Sequence, residues 1–164
     1  MTNQNLERDC ARFGFSLTKK ARDLVSKLSK SDKAKIVNTI TKAIGILSTD
    51  GPFAYIVWLE YKGSLNPTAD DLEEMVAQKV HQKSFELLKY ENFIKNVDDY
   101  DYKRLKAIFV GEDKTAGICK DIYQMFFVKS ILEKMLTYAL YKAKSLQVDE
   151  QPAAESDIAE GAME

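Results

Sequence analysis

Proline and glycine are scarce, three and seven in 164 residues. So few turn-formers argue against many short strands and for long helices. Cysteine is scarcer still. Cys10 and Cys119 lie far apart with no pairing signature, which suits a reduced, cytoplasmic protein and not a disulfide scaffold. No run of about 18 apolar residues occurs, so no membrane span is expected. The opening "MTNQNLERDC" has no apolar stretch and does not read as a signal peptide.

The chemistry-bearing motifs are missing too. There is no G-x-x-x-x-G-K-[ST], no G-x-G-x-x-G and no G-x-S-x-G. The single histidine, His81, sits in the polar run 78–83 and reads as a surface side chain. A zinc-type site needs clustered His, Cys or carboxylate ligands, so no metal and no cofactor are expected. Asp98, Asp99 and Asp101 fall close together, but their spacing fits no EF-hand loop, and a solvated turn or helix cap is the simpler account. Glu73 and Glu74 read as a charged helix surface. Nothing assembles an acid–base pair or an activated nucleophile, and the chain is not expected to be an enzyme.

What is present is 45% hydrophobic and 30% charged residues, at a length suited to one domain with its own core. The net charge of −1 hides an asymmetry. After Lys144 there is no Lys or Arg, only the acids Asp149, Glu150, Glu155, Asp157, Glu160 and Glu164. Residues 1–144 carry a net +5, and residues 1–48 alone a net +6. This composition predicts a single helical domain over 1–146 and a disordered acidic tail over 147–164.

Apolar periodicity supplies the helices. Leu6, Cys10, Phe13, Leu17, Ala21, Leu24 and Leu28 recur at three and four, predicting a first helix over 4–29. Ser31 or Asp32 can cap a second, carried by Ile36, Val37, Ile40, Ala43, Ile44 and Leu47. The run "STDGP" stops it. A third, short helix then follows from Pro52, with Asp50 as its cap and Gly63 just past its end. That helix, "FAYIVWLEYKG", has no polar face. It is expected to be buried on most sides, as the centre of a bundle or against another protein. Thr68 and Asp71 resemble a capping box ahead of a long helix to about 95. A short helix over 102–110 and a last helix over 118–146 complete an all-α bundle of about five to six helices. The last helix has Ile118, Ile122, Met125, Leu132, Met135, Leu136, Ala139 and Ala143 on its main stripe. Tyr123, Phe127, Ile131, Tyr138 and Tyr141 make a second apolar face.

Two features point to function. On the first helix, Arg8, Arg12, Phe15, Lys19 and Arg22 project together, opposite the apolar stripe, over roughly 21 Å of helix. A cationic row with an aromatic in it suits a nucleic-acid strand, since cations neutralise phosphates and a ring stacks on a base. The same row is also compatible with an ordinary solvated face, or with a protein contact at Phe15. The multi-sided apolar helices make Tyr55, Trp58, Tyr123, Phe127, Tyr138 and Tyr141 candidates for a protein interface, because Tyr and Phe are favoured there.

At three places the chain resembles the small helical subunit of type III-B (Cmr) CRISPR effector complexes. These are the N-terminal "ERDCARFGF", the helix pair "KIVNTITKAIGILSTDGPFAYIVWLEYKG" and the closing "IYQMFFVKSILEKMLTYALYKAKSL". The likeness covers about 1–63 and 118–146. Pro52 stands where the family commonly has Leu, and Tyr138 near where it often has Trp. The resemblance implies a non-catalytic structural subunit. Copies would stack in a short filament beside the guide RNA–target RNA duplex, with other subunits of the ribonucleoprotein performing the chemistry. Its partners would be those subunits, further copies of itself and the RNA backbone. The competing reading is a helical protein-interaction or regulatory adaptor with no nucleic-acid role. A small-molecule-binding bundle and a helix-turn-helix DNA reader are weaker alternatives. The latter is disfavoured because the helix after the turn lacks polar side chains for base readout.

Overall fold

A computed structural model of the chain describes residues 5–63, 71–95, 100, 104–111 and 117–149. Among these, five α-helices and no strand are found, so the fold is an all-α bundle. The helices are α1 (Leu6–Arg22), α2 (Lys30–Gly63), α3 (Leu72–Tyr90), α4 (Arg104–Val110) and α5 (Ile122–Lys144), with a 3-10 turn at Ile118–Lys120 before α5. Thr68, the acids Asp98, Asp99 and Asp101, and everything after Asp149 lie outside the described residues.

The long helices close a ring. α1 packs on α5, α5 on α2, α2 on α3 and α3 back on α1, while α4 rests on α2 and the 3-10 turn. No helix is therefore the centre. The α1/α5 pair runs parallel, with a constant offset. Cys10 Sγ donates to the Ile131 carbonyl at 3.5 Å and Thr18 Oγ1 to the Ala139 carbonyl at 2.8 Å, both 121 residues apart. Gly14 lies between them. A Cβ built there would sit 2.4 Å from the Met135 carbonyl oxygen and 2.9 Å from the Ala139 nitrogen, so the two backbones touch because Gly14 has no side chain.

α2 is two limbs joined at Gly51, whose φ of 91° and ψ of 176° are not helical. The predicted break after residue 47 is thus present, with Gly51 rather than Asp50 at the joint. Pro52 explains how the break is held. A proline at this position cannot donate to the carbonyl four residues back, which is Ser48. Lys129 Nζ takes that carbonyl instead, at 2.8 Å, and Ser48 Oγ donates to Glu133 Oε1 at 2.9 Å. The kink is therefore fastened to α5. No atom lies within 4 Å of a Cβ added at Gly51, so Gly51→Ala meets only backbone strain. We expect it to destabilise by about 1–3 kcal/mol in urea unfolding, since this φ/ψ region is essentially restricted to glycine. An unchanged midpoint would show that the joint relaxes freely.

Helix ends depart from expectation in instructive ways. Ser29, not Ser31 or Asp32, opens α2. Asp32 N donates to Ser29 Oγ (3.0 Å) and Ser29 N to Asp32 Oδ2 (3.2 Å), a reciprocal box with Asp in the usual Glu place. Asp71 is itself the cap of α3, accepting from Glu73 N and Glu74 N. Gly63 has no left-handed φ. It is small because α3 passes close by, with Gln78 N at 3.0 Å from a built Cβ. α1 stops at Arg22, before Leu24 and Leu28, although Leu28 is still fully buried.

The second limb of α2 is not buried all round. Pro52, Tyr55, Ile56, Leu59 and Gly63 face inward, whereas Phe53, Val57 and Tyr61, four apart, stay exposed. His81 corrects the surface reading outright. It is fully buried on the core side of α3, and its Nδ1 lies 2.7 Å from the Tyr100 hydroxyl.

Candidate nucleic-acid and protein interfaces

The five residues of the basic row all lie on α1, but they are not equivalent. Arg8, Arg12 and Lys19 are exposed, but Arg12 is not free. Arg12 turns toward α3. Its guanidinium stands over the Tyr90 ring at 4.6 Å and the Phe13 ring at 5.0 Å, and lies 3.5 Å from Asp9. Cation–π contact and a carboxylate thus engage it internally. Arg22 is engaged as well, donating to the Val25 carbonyl and to Asp149 Oδ2, each at 2.8 Å. Phe15 remains 47% exposed, its ring edge-to-face with Tyr138 at 6.1 Å.

What the helical projection missed comes from α5. Parallel pairing brings the end of α5 beside the end of α1. Phe15, Ser16, Thr18, Lys19, Arg22, Lys142 and Leu146 together line a groove of about 510 Å³. Its apolar parts are Phe15 and Leu146, and three cations stand on its rim. Among the described residues, neither Lys19 nor Lys142 meets a carboxylate. A groove with aliphatic and aromatic walls and unpaired cations can hold an anionic chain bearing flat apolar groups. Only the spatial offset of α1 and α5, not any local pattern, could have added Lys142 and Leu146 to the row.

The protein-interface candidates divide. Tyr55 is unavailable to a partner, being fully buried with its hydroxyl 2.8 Å from Ser84 Oγ. Since Ser84 Oγ donates to the Val80 carbonyl, the Tyr55 hydroxyl is the donor of that pair. Burial holds the Tyr55 phenol well above the usual tyrosine range. Trp58 is half-buried against the core. Tyr138 is half-buried under Phe15 and donates to Glu7 Oε1 at 2.7 Å. Tyr123, Phe127 and Tyr141 are exposed as expected, but not on one surface. Tyr123 and Phe127 join Ile122 and Phe126 at the start of α5, while Tyr141 stands near its end, about 27 Å away along the axis. The start of α5 is thus the larger apolar patch, and Phe93 packs on it through Phe127 at 5.7 Å.

Neither thiol is poised for chemistry. Burial pushes Cys10 up to about 11, and burial also raises Cys119. Among the described residues, no group of three His, Cys, Asp or Glu could hold a metal ion, and no helix is long and apolar enough to cross a membrane. Comparison with family models, with curated proteins and with solved structures finds no match to this chain.

Proposed function

We propose that this protein is a non-catalytic structural subunit that lies against an RNA backbone, in the manner of the small subunit of a type III CRISPR ribonucleoprotein. The observation that carries the reading is the groove between α1 and α5, where Phe15 stands half-exposed among Lys19, Arg22 and Lys142. Such a site neutralises phosphates and offers a ring to a base without reading sequence, which suits a subunit whose specificity comes from guide–target pairing. Copies would meet through the apolar patch at Ile122, Tyr123, Phe126 and Phe127, in a head-to-tail contact. That patch is also the observation that favours the second reading, an adaptor that binds protein and no nucleic acid.

The test is a titration of the full chain with fluorescent single-stranded RNA at several salt concentrations. Binding is expected to weaken steeply with salt. Lys19→Ala and Lys142→Ala are each expected to weaken it irrespective of sequence and to reduce the log–log salt slope by about 1. Salt-insensitive binding, or no binding, would favour the adaptor. Recovery of guide-sized RNA with the tagged protein from its native cells would support the CRISPR assignment, and recovery of a protein partner alone would overturn it.

A further inference from the structure

The groove has a candidate occupant within the chain itself. After α5 the backbone does not leave the domain. It continues beside the segment that links α1 to α2 and the start of α2, touching Arg22, Leu28 and Lys33. Lys33 Nζ holds the Leu146 carbonyl at 2.7 Å. Asp149 is then fixed at three points. Its N–H donates to the Leu28 carbonyl at 2.9 Å, and its Oδ2 accepts from Leu28 N at 2.6 Å and from Arg22 Nη2 at 2.8 Å. The domain thus extends at least to Asp149, three residues past the expected boundary at Leu146. The carboxylate of Asp149 is the first acid after the last lysine, and it already neutralises one of the three rim cations.

Fifteen residues follow it, 150–164, with five further acids (Glu150, Glu155, Asp157, Glu160, Glu164) and no Lys or Arg. They also carry Ile158 and Met163. The chain therefore passes the rim of the groove at Arg22 with complementary charge still to come and two cations, Lys19 and Lys142, unmatched. Reach is no obstacle. From Arg22 to Phe15 is about 10 Å along α1, which three to four extended residues span.

We propose that the acidic segment 150–164 folds back across the α1/α5 groove, with its carboxylates against Lys19 and Lys142 and an apolar side chain against Phe15, and so competes with polyanions for that face. Asp149 is the hinge that delivers it. The docking stands on this geometry alone. The competition rests on the RNA reading above, and the experiment separates the two.

A nitroxide is attached at Met163→Cys in the full chain carrying Cys119→Ser, since Cys10 is buried and unreactive, and amide relaxation is recorded. Paramagnetic broadening is expected at Phe15, Lys19 and Lys142 in low salt. It should disappear in about 0.5 M salt, where the Debye length shrinks to a few ångströms. It should disappear also when the five acids after Asp149 are changed to Gln or Asn. Broadening that is absent, or unchanged by salt and by neutralisation, overturns the docking. In parallel, both unlabelled chains are titrated with a fluorescent oligouridylate. The neutralised chain is expected to bind about tenfold more tightly at 50 mM salt and equally at 0.5 M. Equal affinity at 50 mM overturns the competition. Broadening on the groove with no RNA binding by either chain supports the docked segment and overturns the RNA reading instead.

Discussion

Gly14→Ala is expected to lower the stability of the fold by up to about 2 kcal/mol net, although alanine is the better helix former. The added Cβ would lie 2.4 Å from the Met135 carbonyl oxygen, 2.9 Å from the Ala139 nitrogen and 3.0 Å from the Tyr138 Cβ. Two of these are backbone atoms of α5, so no side chain can swing aside. α1 must move off α5, straining the Cys10–Ile131 and Thr18–Ala139 bonds on either side. Overpacking of this kind costs about 1–3 kcal/mol, and the roughly 1 kcal/mol gained in helix propensity offsets part of it. Gly45→Ala provides the matched control. Gly45 is exposed within α2 and has nothing within 4 Å of a built Cβ, so alanine there should stabilise by up to about 1 kcal/mol. Melting temperatures should therefore move in opposite directions, by a few degrees each. If both substitutions raise the melting temperature, the close α1/α5 approach is not a feature of the folded chain.

That approach also marks the limit of what the residues disclose one after another. Periodicity finds the helices, because each long helix buries a stripe at three and four and the stripe is local. The stop at Gly51-Pro52 is equally local. The end of α1 is not. Leu24 and Leu28 keep the helical spacing, yet the chain turns at Arg22, and the acceptor that satisfies Leu28 N belongs to Asp149, far along the sequence. The interface residues fail for the same reason. Tyr55 and Tyr123 both sit in apolar runs, and only the packing of α2 on α3 makes one a core donor and leaves the other in solvent. The residues of the basic row all lie on α1, as their spacing implies. Two of its three arginines, Arg12 and Arg22, are however shared with Tyr90 and Asp149, and the added cation on the neighbouring helix, Lys142, is invisible until α1 and α5 are set parallel.

His81 gives the second large effect, and it concerns pH. Gln78, Lys79, Gln82 and Lys83 make its surroundings polar in sequence, but Ala77 and Phe85, four residues to either side, place it on the core stripe. Burial there lowers its pKa to about 4, from an ordinary value of 6.5. The folded state therefore holds the imidazole neutral where the unfolded chain would already have protonated it. The unfolded state binds more protons between these two values, so the stability due to this group is complete above about pH 7 and is lost as pH falls from 6.5 toward 4. At 1.36 kcal/mol per unit, the loss reaches about 2 kcal/mol by pH 5. Glu60 and Glu91 act in the opposite sense, since burial raises both and their folded forms take up protons more readily. The comparison that isolates the histidine is thus urea unfolding of the wild type and His81→Gln at pH 8, 6 and 5. The variant should be less stable at pH 8, where the bond to Tyr100 is altered, yet it should lose less stability on acidification. Parallel losses in the two chains would mean that the imidazole is not held neutral, and that His81 contributes to the core only by its shape.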